Sequence, residues 1–303
     1  MNKKHWLETN ARSLKGKTIL ITGTTSGIGY QSLVMLAETQ TKVIVGVRNT
    51  NKAKSQIEEL KKSYPNFDAT IFSLDLTDKN SILEFTNMVK ANFPDGIDGL
   101  INNAGIFANK KEVLPCGYEK HFFVDCLAPI FLSINLLPVL EKKADSKIVF
   151  VSSLSIKHKT ANLSDIDLKT SKNDIKTYAN AKLWLTAYAT EFSKRLHEKK
   201  SKTIVSICHP GITASSLMSS SHGKFGKLTY SFLNFGMKCI FPKTKHAAQD
   251  EIFALTAKPT ESSWVCPSGA FEVYGKPKTK KIFLNNINCT EIYDKINEIL
   301  KKI

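Results

Sequence analysis

The chain has 303 residues, 42% of them hydrophobic and 23% charged, which allows a substantial core and excludes a disordered or collagen-like chain. Lys and Arg total 43 against 27 Asp and Glu, a net charge of +16 that first suggests nucleic acid or an anionic membrane as partner. However, only Arg12, Arg48 and Arg195 are arginines and lysine runs never exceed two, so solvated surface lysine is the better reading and no nucleic-acid partner is expected.

Residues 1–14 read as an N-terminal extension; the basic start has no apolar run behind it, so it is not a secretory leader. Apolar, β-branched runs then alternate with amphipathic ones. Strands are expected at 18–22, 42–47, 69–74, 100–102, 147–152 and 203–208. Helices are expected at 28–38, 51–62, 78–92 and 174–199. Short apolar strands separated by helices suit a sheet covered on both faces. The expected fold is therefore α/β, a Rossmann-type doubly wound parallel sheet in a single domain of residues 15–275. Residues 276–303 form a C-terminal tail, in which 291–303 has helical spacing and should dock on the body or a neighbour. No stretch approaches the ~18 apolar residues of a membrane span. The six cysteines include no C-x-x-C pair, so no metal site is expected, and free thiols fit a reducing, cytoplasmic setting.

The first chemical signal is Thr22-Gly23-Thr24-Thr25-Ser26-Gly27-Ile28-Gly29, between the first strand and first helix. Glycines there permit a tight turn, close approach of a pyrophosphate and close helix packing, while the helix N-terminus offers N–H groups to phosphate. The alternative is a turn that only changes direction. At the end of the second strand stands Arg48, with Lys52 one turn later, where a carboxylate would hold a ribose 2′-hydroxyl. A guanidinium suits a 2′-phosphate, favouring NADP(H) over NAD(H), unless Arg48 is merely a surface residue. Asp75-Leu76 follows the third strand, where the acid can accept from an adenine amino group. The second signal is Tyr178-Ala-Asn-Ala-Lys182: i and i+4 share a helix face, and an ammonium lowers a tyrosine pKa toward general acid/base use. Ser152-Ser153 ends the fifth strand, placed to orient a carbonyl.

These motifs, with Asn102-Asn103-Ala104-Gly105 and His209-Pro210-Gly211, resemble the short-chain dehydrogenases/reductases in order and spacing over about residues 15–275. Arg48 with Lys52, Leu74-Asp75-Leu76 and the long Ser153–Tyr178 gap look like the retinol-dehydrogenase-like branch, mostly NADP-linked and acting on lipophilic carbonyls and alcohols. The resemblance implies Tyr178 as proton donor or acceptor, Lys182 lowering its pKa and binding the nicotinamide ribose, and Ser153 polarising the carbonyl. It also implies Gly23, Thr25, Ser26, Gly27, Ile28 and Gly29 at the cofactor diphosphate. Asn102, Asn103, Ala104 and Gly105 would lie along its adenosine side. Pro210, Gly211 and Ile212 would pack against nicotinamide, with Thr213 or Ser215 near its amide and the diphosphate.

One departure stands out: Asp125 falls where the family commonly has an Asn supporting a relay to the active-site Lys. It is either a tolerated near-isostere or a charge that pairs with Lys182 and slows turnover, which leaves open a catalytically weakened regulatory or scaffold protein of the same fold. Pro129 just beyond marks a new helix start. The segment 213–243 is expected to set substrate identity. Its aromatic residues between Phe225 and Phe241 fit a lipophilic substrate, packing on the domain or a partner, or peripheral membrane contact. The family resemblance is compatible with a homo-oligomer.

Overall fold

The computed structural model describes residues 3–107, 111–158, 162–170, 174–211, 244–257, 263–282, 284 and 286–303. In chain order they form α1 (Lys3–Asn10), β1 (Thr18–Thr22), α2 (Gly27–Glu38), β2 (Lys42–Val47), α3 (Thr50–Ser63), β3 (Ala69–Ser73), α4 (Lys79–Asn92) and β4 (Gly99–Asn102). Then follow α5 (Lys120–Phe122), a π-helical turn (Phe123–Leu127), α6 (Ala128–Leu140), β5 (Ser146–Val151), α7 (Asp174–Glu198) and β6 (Thr203–Cys208). Last come α8 (Thr244–Thr256), β7 (Ser263–Pro267), β8 (Pro277–Lys281) and α9 (Cys289–Lys302).

The strands make one sheet in the order β3-β2-β1-β4-β5-β6-β7-β8. All neighbours run parallel except β8, which pairs antiparallel with β7. Alternating side chains serve two cores. Leu20, Ile44, Leu100 and Ile148 face α4, α6 and α7, while Ile19, Ile21, Val43 and Ile101 face α1, α2, α3 and α8. This is a single Rossmann-type α/β domain, with two differences from the sequence expectation. Among the described residues the sheet has eight strands rather than six, and β8 at its edge is antiparallel. Pro-Lys-Thr-Lys-Lys lacks alternating apolar residues, so β8 owes its extension to register with β7, from Ser263↔Lys281 to Pro267↔Pro277. Its exposed lysines also discourage edge-to-edge pairing.

A second difference concerns residues Lys120–Leu140. Among the described residues this one helical run is long and apolar enough to cross a membrane, although 72% of its apolar window is buried in the fold. Fully buried Phe122, Cys126, Ile130 and Leu136 fill the core it shares with α7. The apolar character is thus mostly that of a core helix, with Ile134 exposed on its outer face.

In the tail, the Asn288 side chain accepts from the Glu291 N–H at 3.1 Å and caps α9, worth about 1 kcal/mol. Ile292 and Ile296 bury against the body. Tyr293 stacks on Tyr188 of α7 with centroids 4.7 Å apart, and the Tyr188 hydroxyl donates to Asn297 Oδ1 at 3.0 Å. Helix α9 therefore docks on the helix that carries Tyr178 and Lys182.

Behind the sheet, α8 buries two adjacent acids, Asp250 and Glu251. Ser32 donates to Glu251 Oε2 at 2.6 Å, but Glu251 Oε1 and both Asp250 carboxylate oxygens lack hydrogen-bond partners among the described residues. Burial pushes Glu251 up to about 7 and Asp250 well above the carboxylate range. Because Glu251 binds its proton more tightly folded than unfolded, its contribution is complete below about pH 4.5 and is lost as pH rises to about 7. We expect Glu251→Gln to remove a decline of about 3 kcal/mol in unfolding free energy across that window, measured by denaturant titration at several pH values. Parallel profiles for both proteins would contradict it.

Candidate active site

The carboxyl ends of β1 to β5 enclose a cavity of about 790 Å³ at the point where strand order reverses between β1 and β4. Its floor is the glycine turn. Gly23 has φ +73°, and a Cβ there would lie 2.8 Å from Ala104; a Cβ on Gly29 would collide with the Asn103 carboxamide and the Gly23 carbonyl. Asn103 Nδ2 donates to the carbonyls of Thr22 (2.7 Å) and Gly23 (3.1 Å), and the Ala104 N–H donates to Thr22 Oγ1 (3.0 Å). The turn after β1 is thus clamped by the turn after β4. The Ser26 side chain makes no cap hydrogen bond to α2, whose first N–H groups and dipole suit an anion.

The predicted residues divide by position. Gly23, Thr25, Ser26, Gly27, Ile28, Gly29, Arg48, Asp75, Leu76, Asn103, Ala104, Gly105, Asp125, Tyr178, Lys182 and Pro210 all line the cavity. Arg48 is exposed at the end of β2, beside Asn49, whose side chain caps α3 by accepting from the Lys52 N–H at 2.9 Å. Lys52 itself lies outside the lining. Asp75 Oδ1 accepts from the Thr77 N–H (2.9 Å) and hydroxyl (2.7 Å), which fixes the acid at the rim. Asn102 points into the core and donates to Ser133 Oγ at 2.9 Å. Ser153 lies outside the cavity lining, which includes its neighbour Ser152. Ser153 Oγ accepts from the Ser155 hydroxyl at 2.9 Å and shares a hydrogen bond with Tyr178. Gly211 donates its N–H to His209 Nδ1 at 3.2 Å, just outside the cavity. Ile212, Thr213, Ser215 and the segment to residue 243 lie outside the described residues.

The chemistry concentrates on α7. Lys182, buried, donates to the Val151 carbonyl at 3.0 Å, and its Nζ lies 3.5 Å from Asp125 Oδ1. Burial pushes the Tyr178 hydroxyl above its ordinary value; Lys182 and the Ser153 hydrogen bond pull it down, and Asp125 pushes with burial. The ammonium therefore acts in the expected direction, but the net shift is upward, because desolvation is the larger effect and Asp125 opposes Lys182. Burial likewise raises Asp125 itself, against Lys182, His121 and the Ile106 N–H, which donates to Oδ1 at 3.1 Å.

The helix geometry around Asp125 follows from the sequence. Pro129 lacks an N–H and its ring clashes with the carbonyl four residues back, that of Asp125, so a normal α-turn is blocked. The chain widens into the π turn and restarts as α6 with Pro129 in its first turn.

Several neighbours were not singled out in the sequence. Phe107 packs edge-on to Tyr178 at 5.1 Å, His121 lies at 6.2 Å from the same ring, and Ile106 and Val124 line the cavity. Thr22, the first residue of the glycine motif, ends β1, and its hydroxyl accepts from the Ala104 N–H. Ser152 is tied to α7 through Thr186 at 2.6 Å. Behind Pro210, His209 Nε2 donates to Glu272 Oε2 at 3.0 Å, and both Lys157 and Lys280 also pair with Glu272. The hydrogen bond from His209 and the two ammonium groups hold Glu272 well below the usual carboxylate range. Cys266 completes a cluster of potential ligands with these two residues, but the lysines already meet the carboxylate's charge and oppose a further cation.

Residues 17–224 match the short chain dehydrogenase family. Among curated relatives, the short chain dehydrogenase resG of Aspergillus sclerotiorum is 31% identical over 68% of this chain and 65% of its own length. Human retinol dehydrogenase 13 is 30% identical over 68% and 61%, and human retinol dehydrogenase 14 is 28% identical over 82% and 76%. The chain thus spans less than two thirds of the first two relatives. In fold it is similar to an uncharacterised Mycobacterium paratuberculosis protein, with TM-score 0.76, 24% identity and 97% of both chains covered. A metagenomic short-chain oxidoreductase solved in complex with NADP gives TM-score 0.60 at 20% identity over 81% of this chain and 93% of its own.

Gly29→Ala tests the clamp. The added methyl must displace Asn103 or the Gly23 carbonyl, and we expect a loss of about 1–3 kcal/mol, seen as a lower Tm. An unchanged Tm would mean that the two turns separate freely.

Proposed function

Because the chain belongs to the short-chain dehydrogenase/reductase family, with repeated similarity to its retinol dehydrogenases, we propose that it is an NADP(H)-dependent oxidoreductase interconverting a carbonyl and an alcohol on a lipophilic small molecule. The observation that carries this reading is one cavity holding the glycine turn at one end and Tyr178 with Lys182 at the other. The cradle that a Cβ on Gly23 or Gly29 would fill, and the α2 N-terminus, fit a dinucleotide diphosphate.

In this reading the turn residues 23–29 receive the diphosphate and Arg48 the 2′-phosphate, with Lys52 adding charge nearby. Asp75 and Leu76 border the adenine, residues 102–105 the adenosine ribose, and Lys182 the nicotinamide ribose. Pro210, Gly211, Ile212, Thr213 and Ser215 serve the nicotinamide end. When bound, the nicotinamide supplies or accepts hydride. Tyr178 gives its phenolic proton to the carbonyl oxygen in reduction and takes the hydroxyl proton in oxidation. Ser153 orients that oxygen, and Lys182 stabilises the phenolate. Phe107, Ile106 and Val124 beside Tyr178 favour an apolar substrate. A cytoplasmic protein touching membranes peripherally, as a homo-oligomer, is consistent with this reading.

A second reading has its own observation. Lys182 shares its charge with Asp125 at 3.5 Å, and Tyr178 is raised overall, which favours a slow enzyme or a cofactor-binding regulator of the same fold.

Two measurements test the proposal. NADPH should bind more tightly than NADH, and Arg48→Ala should cost NADPH about 10–100-fold while sparing NADH, followed by cofactor fluorescence. Equal affinities in the unmutated protein would overturn the cofactor assignment. On a panel of lipophilic aldehydes and ketones, Tyr178→Phe should lower kcat at least about 100-fold with NADPH still bound. Tight binding without turnover in the unmutated protein would favour the regulator.

A further inference from the structure

Asp125 places a carboxylate against the ammonium that Tyr178 depends on, and a second buried titratable pair stands beside it. His121 and Glu119 are both wholly buried. Glu119 caps its helix, accepting from the Phe122 N–H at 2.9 Å through one oxygen. Its other oxygen lies 3.0 Å from His121 Nδ1, which must be the donor because an ionised carboxylate only accepts. His121 is one helical turn before Asp125, and its ring stands at 6.2 Å from that of Tyr178. Asp125 Oδ1 is shared by the Ile106 N–H and Lys182, while Oδ2 is buried with no hydrogen-bond partner among the described residues.

We propose that His121, oriented by Glu119, is a positioning residue whose positive charge offsets Asp125 and so leaves Lys182 available to act on Tyr178. This rests on the oxidoreductase reading above for its kinetic consequence, though not for its charge balance. The groups facing one another are Glu119, His121 and Asp125 from the helix-and-π-turn segment, and Asp174, Tyr178 and Lys182 from α7. Cys126 stands beside them, and Glu251 feels Lys182 from behind the sheet. On this proposal Glu119 and Asp125 are anionic and His121 and Lys182 cationic, so that the inner four charges cancel. Removing the charge on His121 leaves one negative charge in excess next to Tyr178, which stabilises the protonated phenol, weakens it as an acid and lowers the fraction of phenolate present at neutral pH to act as base. The geometry has support in His121's own titration. Burial pulls its pKa down, but the Glu119 hydrogen bond and the carboxylates of Asp125, Glu119 and Asp174 together raise it above the ordinary imidazole value. The position of His121 is thus coupled to the identity of residue 125: an Asn there would need no countercharge.

The test is a double-mutant cycle on the full chain, using His121→Asn, Asp125→Asn and the double variant. Asparagine retains a donor for Glu119 but carries no charge. At pH 7, His121→Asn should lower kcat for alcohol oxidation about tenfold with affinity for the oxidised cofactor unchanged, and the difference from the unmutated protein should close as pH rises past the His121 titration. The double variant should turn over like Asp125→Asn. An unchanged kcat in His121→Asn, a loss that persists at high pH, or an equal loss with and without Asp125 would overturn the proposal. A turnover-independent reading uses imidazole NMR: the His121 pKa should fall by about a unit in Asp125→Asn, and an unchanged value would overturn it too. A protein that binds NADPH, shows the NMR shift and turns over no substrate would refute the oxidoreductase reading while retaining this one.

Discussion

The Asn103 carboxamide holds two turns together at the centre of the sheet, and the site is laid out around that attachment. Its two hydrogen bonds reach the Thr22 and Gly23 carbonyls, so the loop leaving β1 cannot lift away from the loop leaving β4. These two strands are neighbours because the chain reverses its winding there, sending β2 and β3 to one side and β5 to β8 to the other. A crevice opens wherever helices diverge in this way. The clamp turns that crevice into a fixed cradle, and α7 closes its far end with Tyr178 and Lys182.

Charge in this molecule is organised differently inside and outside. The surface lysines that give the net +16 are mostly solvated, and their ion pairs, such as Lys62 with Glu59, are exposed and contribute little. Inside, among the described residues, several charged groups lie close to one another. Lys182 works against Asp125, His121 against Glu119, and Glu272 against His209 and two lysines. Buried pairs of this kind are costly to half-dismantle, which makes single charge removals there far more consequential than on the surface.

Much of this was legible in the sequence because the relevant residues have few substitutes. Gly23 and Gly29 occupy positions where a Cβ has no room, and Tyr178 and Lys182 are forced onto one face by helical spacing. The first six strands were legible because a sheet covered on both faces demands continuous apolar runs. β7 and β8 were not, since Ser-Trp-Val-Cys-Pro is short and β8 is a lysine-rich edge with no alternating apolar residues. The sign of the Tyr178 shift was also hidden. Sequence spacing reveals the ammonium but not the amount of water withdrawn from the hydroxyl, and here the latter is larger. Glu119 and His121 escaped notice because their importance comes from sharing a buried space with Asp125, a property of packing rather than of spacing.

The docking of α9 on α7 bears on how the molecule comes to be folded. Tyr188 and Asn297 are 109 residues apart, so their contact carries a large loop-closure cost and forms after local structure. Helix α7 can wind early, yet its tyrosine-bearing face stays uncovered until α9 arrives. During that interval the element bearing Tyr178 and Lys182 exposes apolar surface, and chains held there are prone to associate with one another. Conditions that hasten closure of the last helix should therefore improve the yield of native protein more than those that favour helix formation in α7 itself.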